Sequence, residues 1–285
     1  MNKVLKGYFD CEIDHITPVG GGCINEAVRV GLSDGREFFV KQNDLSRMDM
    51  FEKEATGLKL LEKASTPLRI PHVHALLEDQ PESKALLVLS FIEEGRPRET
   101  FHRDFGKALA SLHRYSGDFY GLDHDNYIGS LPQKNTPHDS WISFFISCRI
   151  EPQFSLARQN GYFDRSTTSS LNRLYSRLGD LMPDEPPSLL HGDLWGGNYL
   201  CDRNGRAVLV DPAVYYGNRE AELAFTRMFG GFDPAFYQGY EEAWPLLPGF
   251  PKRKDLYNLY PLLVHVNLFG GGYVSQAESV IRRYQ

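Results

Sequence analysis

The chain has 285 residues, 41% hydrophobic and 24% charged, with a formal net charge of −6. That length suits a two-lobed enzyme or two small domains with a substantial core, and 18 Phe with 15 Tyr argue against disorder. The acidic balance argues against a nucleic-acid partner, which leaves a basic footprint. No run approaches the ~18 consecutive apolar residues of a membrane helix, and no apolar run follows Met1-Asn2-Lys3 as in a signal peptide. The four cysteines form no CxxC pair. A cytoplasmic protein with reduced thiols and no membrane or nucleic-acid partner is therefore expected.

Residues 13–41 read as a three-stranded antiparallel meander. Ile13 to Val19 leads into Gly20-Gly21-Gly22, Ala27 to Leu32 follows, and Asp34-Gly35 turns the chain into Glu37 to Lys41. Met50 to Lys63 has helical spacing, with Phe51, Ala55 and Leu58 on one face, and Thr66-Pro67 ends it. His72 to Leu77 and Lys84 to Ile92 read as two more strands. Glu93-Glu94-Gly95-Arg96-Pro97 breaks the pattern, which divides the chain into residues 1–92 and 93–285. Beyond Phe101 the spacing is helical: Phe105, Leu109 and Leu112, then 139–157 with an interruption near Pro152, then 167–181. After a short hairpin around Asp202-Arg203-Asn204-Gly205, further helices are expected over 220–229, 234–244 and 255–268.

The chemistry concentrates in Leu189-Leu190-His191-Gly192-Asp193-Leu194-Trp195-Gly196-Gly197-Asn198 and in Val210-Asp211-Pro212. His-x-Asp-x-x-x-x-Asn followed by a β-rich run ending in Asp resembles the catalytic and metal loops of kinase-fold phosphotransferases. There one Asp takes the proton of the attacking hydroxyl, while an Asn and a second Asp hold Mg²⁺ on the nucleotide phosphates. Asp193 is then the base, and Asn198 and Asp211 offer the hard oxygen ligands that Mg²⁺ prefers. His191 shapes the loop by hydrogen bonding. Gly20, Gly21 and Gly22 suit a backbone cradle for phosphate, although no Gly-Lys-Ser/Thr follows to make a Walker A loop. Lys41 ends an apolar strand, and Glu54 on the next helix is preferred to Glu52 as its partner. Ser90, Phe91 and Ile92 form the expected hinge, with backbone groups for adenine. His72-Val73-His74 lacks a third ligand and reads as structural. The aromatic residues Phe229, Phe232, Phe236, Tyr237 and Tyr240 read as core, and Gly270-Gly271-Gly272 reads as a helix cap.

The whole set resembles the fructosamine kinase (ketosamine-3-kinase) family. The resemblance is carried by His191 to Asn198, Asp211-Pro212-Ala213-Val214-Tyr215-Tyr216-Gly217, Glu220-Ala221-Glu222-Leu223-Ala224, Met228 to Phe232, Gly20 to Glu26, Asp125 to Gly129 and Trp141 to Phe145. It implies an α+β, two-lobed protein kinase-like fold: a five-stranded antiparallel N-terminal sheet with one main helix, and a mostly helical C-terminal lobe. It also implies ATP- and Mg²⁺-dependent phosphorylation of the 3-hydroxyl of a ketosamine on a small amine or a protein lysine, with deglycation as the outcome. Trp195 and His265 are the residues set against the sugar. Cys23, in the glycine turn, is a candidate for oxidation, so a monomer or a redox-dependent dimer is expected. The alternatives are a kinase of an aminoglycoside, choline or sugar, and a nucleotide-binding protein without catalysis.

Overall fold

The structure, a computed structural model, describes residues 1–20 and 25–285. The chain divides into two compact units, Met1–Phe101 with Gly197–Ala213, and His102–Gly196 with Val214–Gln285. The expected boundary at 92/93 thus differs from the contact division. The segment after the strands stays with the first unit because the Gly95 N–H donates to the Cys201 carbonyl and Glu94 bridges to Asp202.

The first unit begins with α1 (Asn2–Phe9), then β1 (Ile13–Val19), β2 (Glu26–Leu32), β3 (Glu37–Asp44), α2 (Met48–Lys63), β4 (Val73–Asp79) and β5 (Lys84–Ser90). The strands form one antiparallel sheet of order β1-β2-β3-β5-β4. Strand side chains alternate between faces, and the burial follows that alternation. Val28, Val30, Phe38, Val40, Leu86 and Val88 pack with Leu5 and Phe9 of α1. Ala85, Leu87 and Leu89 pack with Phe51, Ala55 and Leu58 of α2. Helix α1 was not expected; its buried pair at i, i+4 is Leu5 and Phe9. Sealing those two side chains against the sheet contributes about 1.5–3 kcal/mol apiece.

The second unit opens with α3 (Phe101–His113), the hairpin β6 (Asn126–Ile128) and β7 (Leu131–Gln133), and α4 (Trp141–Phe144). A π-helical turn, Phe145–Ile150, joins α4 to α5 (Glu151–Gln159). Pro152 has no N–H for an i→i−4 bond, and the wider turn just before it accommodates that loss; the interruption expected near Pro152 takes this form. Helix α6 (Arg165–Tyr175) starts where the Asp164 side chain accepts from Thr167 N–H, and α7 (Leu178–Leu181) is separate from it. There follow β8 (Ser188–Leu190), the first unit's hairpin β9 (Tyr199–Cys201) and β10 (Ala207–Leu209), and β11 (Tyr215–Gly217) beside β8. The rest is α8 (Arg219–Phe225), α9 (Pro234–Ala243), α10 (Phe250–Tyr257), α11 (Leu259–Phe269) and α12 (Gly272–Tyr284). Helix α12 was not expected, although Ala277, Val280 and Ile281 hold the buried i, i+3, i+4 spacing. Among the described residues, no helix is long and apolar enough to cross a membrane.

Candidate functional site

In the first unit, three charged side chains far apart in sequence meet at one point. Val40 points into the α1 side of the sheet, so Lys41, the next residue, points to the α2 side. Its Nζ donates to Glu54 Oε1 at 2.6 Å and to Asp211 Oδ1 at 2.5 Å. Lys41 is 5% exposed. Burial alone would lower its pKa, but the Glu54 and Asp211 carboxylates outweigh that and raise it, so the ammonium stays charged. Glu54 is raised by burial and by the neighbouring Asp211, against the pull of Lys41. Glu52, the competing partner, is exposed, and its carbonyl accepts from the Thr56 hydroxyl.

Asn198 and Asp211 come together because one hairpin folds between them. The Asp202 carboxylate accepts from the N–H groups of Asn204 and Arg206, both at 2.9 Å, which closes the β9–β10 turn. Leu209 then pairs with Tyr199, and Val210 N–H donates to the Asn198 carbonyl at 3.1 Å. Asn198 and Asp211 thus sit at the same open end of the hairpin. Asp211 holds φ at +54°, a left-handed conformation that costs a non-glycine residue about 1 kcal/mol and recurs at functional sites. One amide oxygen and one carboxylate oxygen fit Mg²⁺, which takes few protein ligands and relies on water and substrate phosphates for the rest. Among the described residues, no three His, Cys, Asp or Glu side chains converge on a metal.

The second unit holds Asp193. Strand β8 ends at Leu190, and the chain turns at Gly192, whose φ of +84° a side chain would resist. That turn aims the N–H groups of His191 and Gly192 inward, onto Glu222 of α8, at 3.1 and 2.7 Å. His191 is fully buried, and its Nδ1 accepts from Asp193 N–H at 3.3 Å; it shapes the loop, as expected. Glu222 was quoted in the sequence as part of a resemblance and given no role. Its signal was an acidic residue on the apolar face of Glu220-Ala221-Glu222-Leu223-Ala224. Burial pushes its carboxyl up, but donors from His113, His191 and Gly192 outweigh this and hold it below the ordinary value.

A second buried network was also missed. The Arg149 guanidinium is fully buried against the ring of Tyr215, 3.9 Å from its centre, and donates to Asn135 Oδ1. Asn135 and Gln133 both donate to Asn126 Oδ1, Asn126 donates to the Val214 carbonyl, and Tyr260 donates to Gln133. The chain just after Asp211 is thereby anchored in this unit.

The remaining expected residues are distributed as follows. Ser90 N–H donates to the His72 carbonyl at 2.9 Å, so its backbone could meet a ligand only through its own carbonyl. Phe91 and Ile92 lie just past the last residue of β5. Gly20 is exposed, with open space where a Cβ would stand, while Gly21, Gly22 and Cys23 lie outside the described residues. Trp195 is 43% exposed. His265 is ringed by Phe229, Phe269 and Tyr273, with centroids 4.9–5.5 Å away. Burial lowers its pKa, and its Nδ1 donates to the Pro261 carbonyl. Phe229 is 44% exposed and is not core, whereas Phe232, Phe236 and Tyr240 are. His72 pairs with Glu62 and His74 with Ser90, a structural use. A cavity of about 300 Å³ lined by Arg227, Lys254, Asn258 and Arg283 contains none of the expected site residues.

The lysine bridged to a helix glutamate and to an aspartate after a hairpin sits in a protein kinase-like fold that solved aminoglycoside phosphotransferases share, and the family profile and curated relatives make the chain a phosphotransferase with an alcohol acceptor. The chain belongs to the fructosamine kinase family, whose sequence profile matches residues 3–285. A probable ketoamine kinase from Synechocystis is 40% identical over 267 residues, covering 93% of this chain and 88% of that protein. A chloroplastic protein-ribulosamine 3-kinase from Arabidopsis thaliana is 39% identical over 277 residues, covering 96% and 83%. A solved structure of a candidate fructosamine-3-kinase from Thermobifida fusca superposes with a TM-score of 0.86 at 32% identity, covering 99% and 98%.

Proposed function

We propose that the protein transfers the γ-phosphoryl group of ATP to the 3-hydroxyl of ketosamines, carried by small amines or by protein lysines. The buried Lys41–Glu54–Asp211 arrangement carries this reading, because it holds a permanent cation within β3, on the α2 side of the sheet and not at the strand end its sequence suggested, where phosphate oxygens would be oriented. Lys41, fixed by Glu54, orients the nucleotide phosphates, and the backbone of Ser90, Phe91 and Ile92 meets adenine. Asn198 and Asp211 hold Mg²⁺, which supplies charge neutralisation on the phosphates when bound. Asp193 accepts the proton of the 3-hydroxyl as the new O–P bond forms and the bond to the ADP leaving oxygen breaks. Trp195 and the aromatic ring around His265 take the sugar and its amine; a neutral imidazole there does not repel a protonated amine. The phosphorylated sugar then leaves the amine, which is deglycation.

In this proposal residues 1–92 form the nucleotide-binding lobe and 93–285 the catalytic and substrate lobe. The cytoplasm remains the proposed compartment, and Cys23-dependent dimer formation under oxidation remains a proposal on a residue outside the described set. The experiment is ATP consumption with free fructoselysine, ribuloselysine, a glycated protein and kanamycin, comparing wild type with Asp193→Asn. Turnover of a ketosamine that Asp193→Asn removes supports the reading. Turnover of kanamycin alone moves the chain to another acceptor, and nucleotide binding with no transfer to any acceptor rejects catalysis.

A further inference from the structure

Three helices of the second unit meet behind the Asp193 loop. His113 ends α3, Glu222 lies on α8 and Tyr240 on α9, and all three are at most 3% exposed. His113 Nε2 lies 2.8 Å from Glu222 Oε2, and its Nδ1 lies 2.8 Å from the Tyr240 hydroxyl. An ionised carboxylate has only lone pairs to offer, so Nε2 carries the proton. The Tyr240 hydroxyl holds the ring's other nitrogen, Nδ1, and so fixes the orientation of the imidazole. The placement is rigid. A Cβ at Gly106 of α3 would lie 1.9 Å from the Phe236 carbonyl oxygen, and one at Gly239 of α9 would lie 2.0 Å from the Arg103 carbonyl oxygen. Both glycines let α3 and α9 touch backbone to backbone, which brings His113 to Tyr240.

Glu222 is the hub. Its two oxygens receive three donors: the His113 imidazole, the His191 N–H and the Gly192 N–H. The two backbone donors belong to the residues immediately before Asp193. We propose that His113 is a positioning residue for the base, acting through Glu222: the imidazole holds the carboxylate, and the carboxylate holds the His191-Gly192 backbone in the turn that presents Asp193 to the substrate hydroxyl. This rests on Asp193 being the base. Were the network only a packing device, its loss would lower folding stability and leave the balance between kcat and KM unchanged.

The conservative and disruptive variants of His113 separate the two. A glutamine amide reaches the position of Nε2 and keeps a donor for Glu222, whereas leucine fills similar volume and supplies none. His113→Gln should keep kcat within about threefold of wild type. His113→Leu should lose roughly 10–100-fold in kcat, the scale of one hydrogen bond to a charged group, with KM for ATP and for the ketosamine nearly unchanged. Hydrogen exchange at the amides of His191 and Gly192 gives a readout that needs no substrate: faster by roughly tenfold in His113→Leu, near wild type in His113→Gln. Should His113→Leu fail to fold, Tyr240→Phe removes one hydroxyl from the same chain and should still speed exchange at both amides. Equal losses in His113→Gln and His113→Leu, or wild-type exchange and kcat in both His113→Leu and Tyr240→Phe, would overturn the proposal. If the wild type phosphorylates no ketosamine, the proposed function fails, and the exchange measurement still decides whether His113 holds the loop.

Discussion

Lys41 and Asp211 are 170 residues apart in sequence, and a 2.5 Å hydrogen bond joins them. Glu54 lies 2.6 Å from the same ammonium. One buried cation therefore holds two carboxylates, one from the helix beside the sheet and one from the end of a hairpin.

Removing that cation should damage both stability and activity. Lys41→Met leaves the largely buried Glu54 without its counter-charge, and unfolding free energy should fall by about 3–5 kcal/mol, measured by urea denaturation. Glu54→Gln is milder, because Lys41 keeps Asp211; KM for ATP should rise roughly tenfold, about 1.4 kcal/mol, with folding nearly intact. A wild-type KM for ATP in Glu54→Gln would show that Glu54 does not orient Lys41 for phosphate.

Asp193→Asn keeps the shape of the side chain and removes its basicity. The expected loss in kcat is roughly 10²–10⁴-fold, with KM for either substrate changed little. A loss confined to KM would assign Asp193 to binding instead.

Asp211→Asn and Asn198→Ala should each raise the Mg²⁺ concentration needed for half-maximal rate, and chelation with EDTA should abolish turnover. Titration of activity against Mg²⁺ measures this. Unshifted curves in both variants would remove these residues from the metal site.

Trp195→Ala should raise KM for the ketosamine by roughly tenfold, the scale of one lost aromatic contact, and leave KM for ATP alone. An unchanged ketosamine KM would leave the exposed indole without a role in the sugar site.

Asp202 is fully buried and closes the β9–β10 turn. Burial raises its pKa, but donors from Arg206, Arg69 and Asn204 outweigh it and hold the carboxyl below its ordinary value of 3.8. A depressed folded-state pKa contributes stability that is full above the unfolded value and is lost as pH falls through the folded one. Asp202→Asn should therefore cost about 2 kcal/mol at pH 7, and the gap to wild type should close as pH drops below about 3.8. A gap that stays constant down to pH 2 would show that the charge of Asp202 is not what holds the turn.

Local pattern carried much of the fold. Apolar runs and turn signals placed the strands, and helical spacing placed most helices; the caps at Asp164 and Asn218 emerge from the structure. Helix α1 was missed because its two buried side chains have no partner until the sheet forms. Helix α12 was missed even though its spacing was legible, because the glycines before it read as an ending. The pairing of Ser90 N–H with the His72 carbonyl was not legible, because strand pairing is non-local.

The sequence by itself determined the chemistry available: Asp193, Asn198 and Asp211 in a fixed order, a lysine on an apolar strand, and segments whose resemblance pointed to ketosamine kinases. Tertiary structure alone decided that Asp211 joins Lys41 and Glu54, and that His113, Glu222 and Tyr240 stand behind the base. Those are buried polar contacts across 109 to 170 residues of chain. No local spacing encodes them; they exist because polar groups taken out of water must find partners wherever the packed elements bring them together.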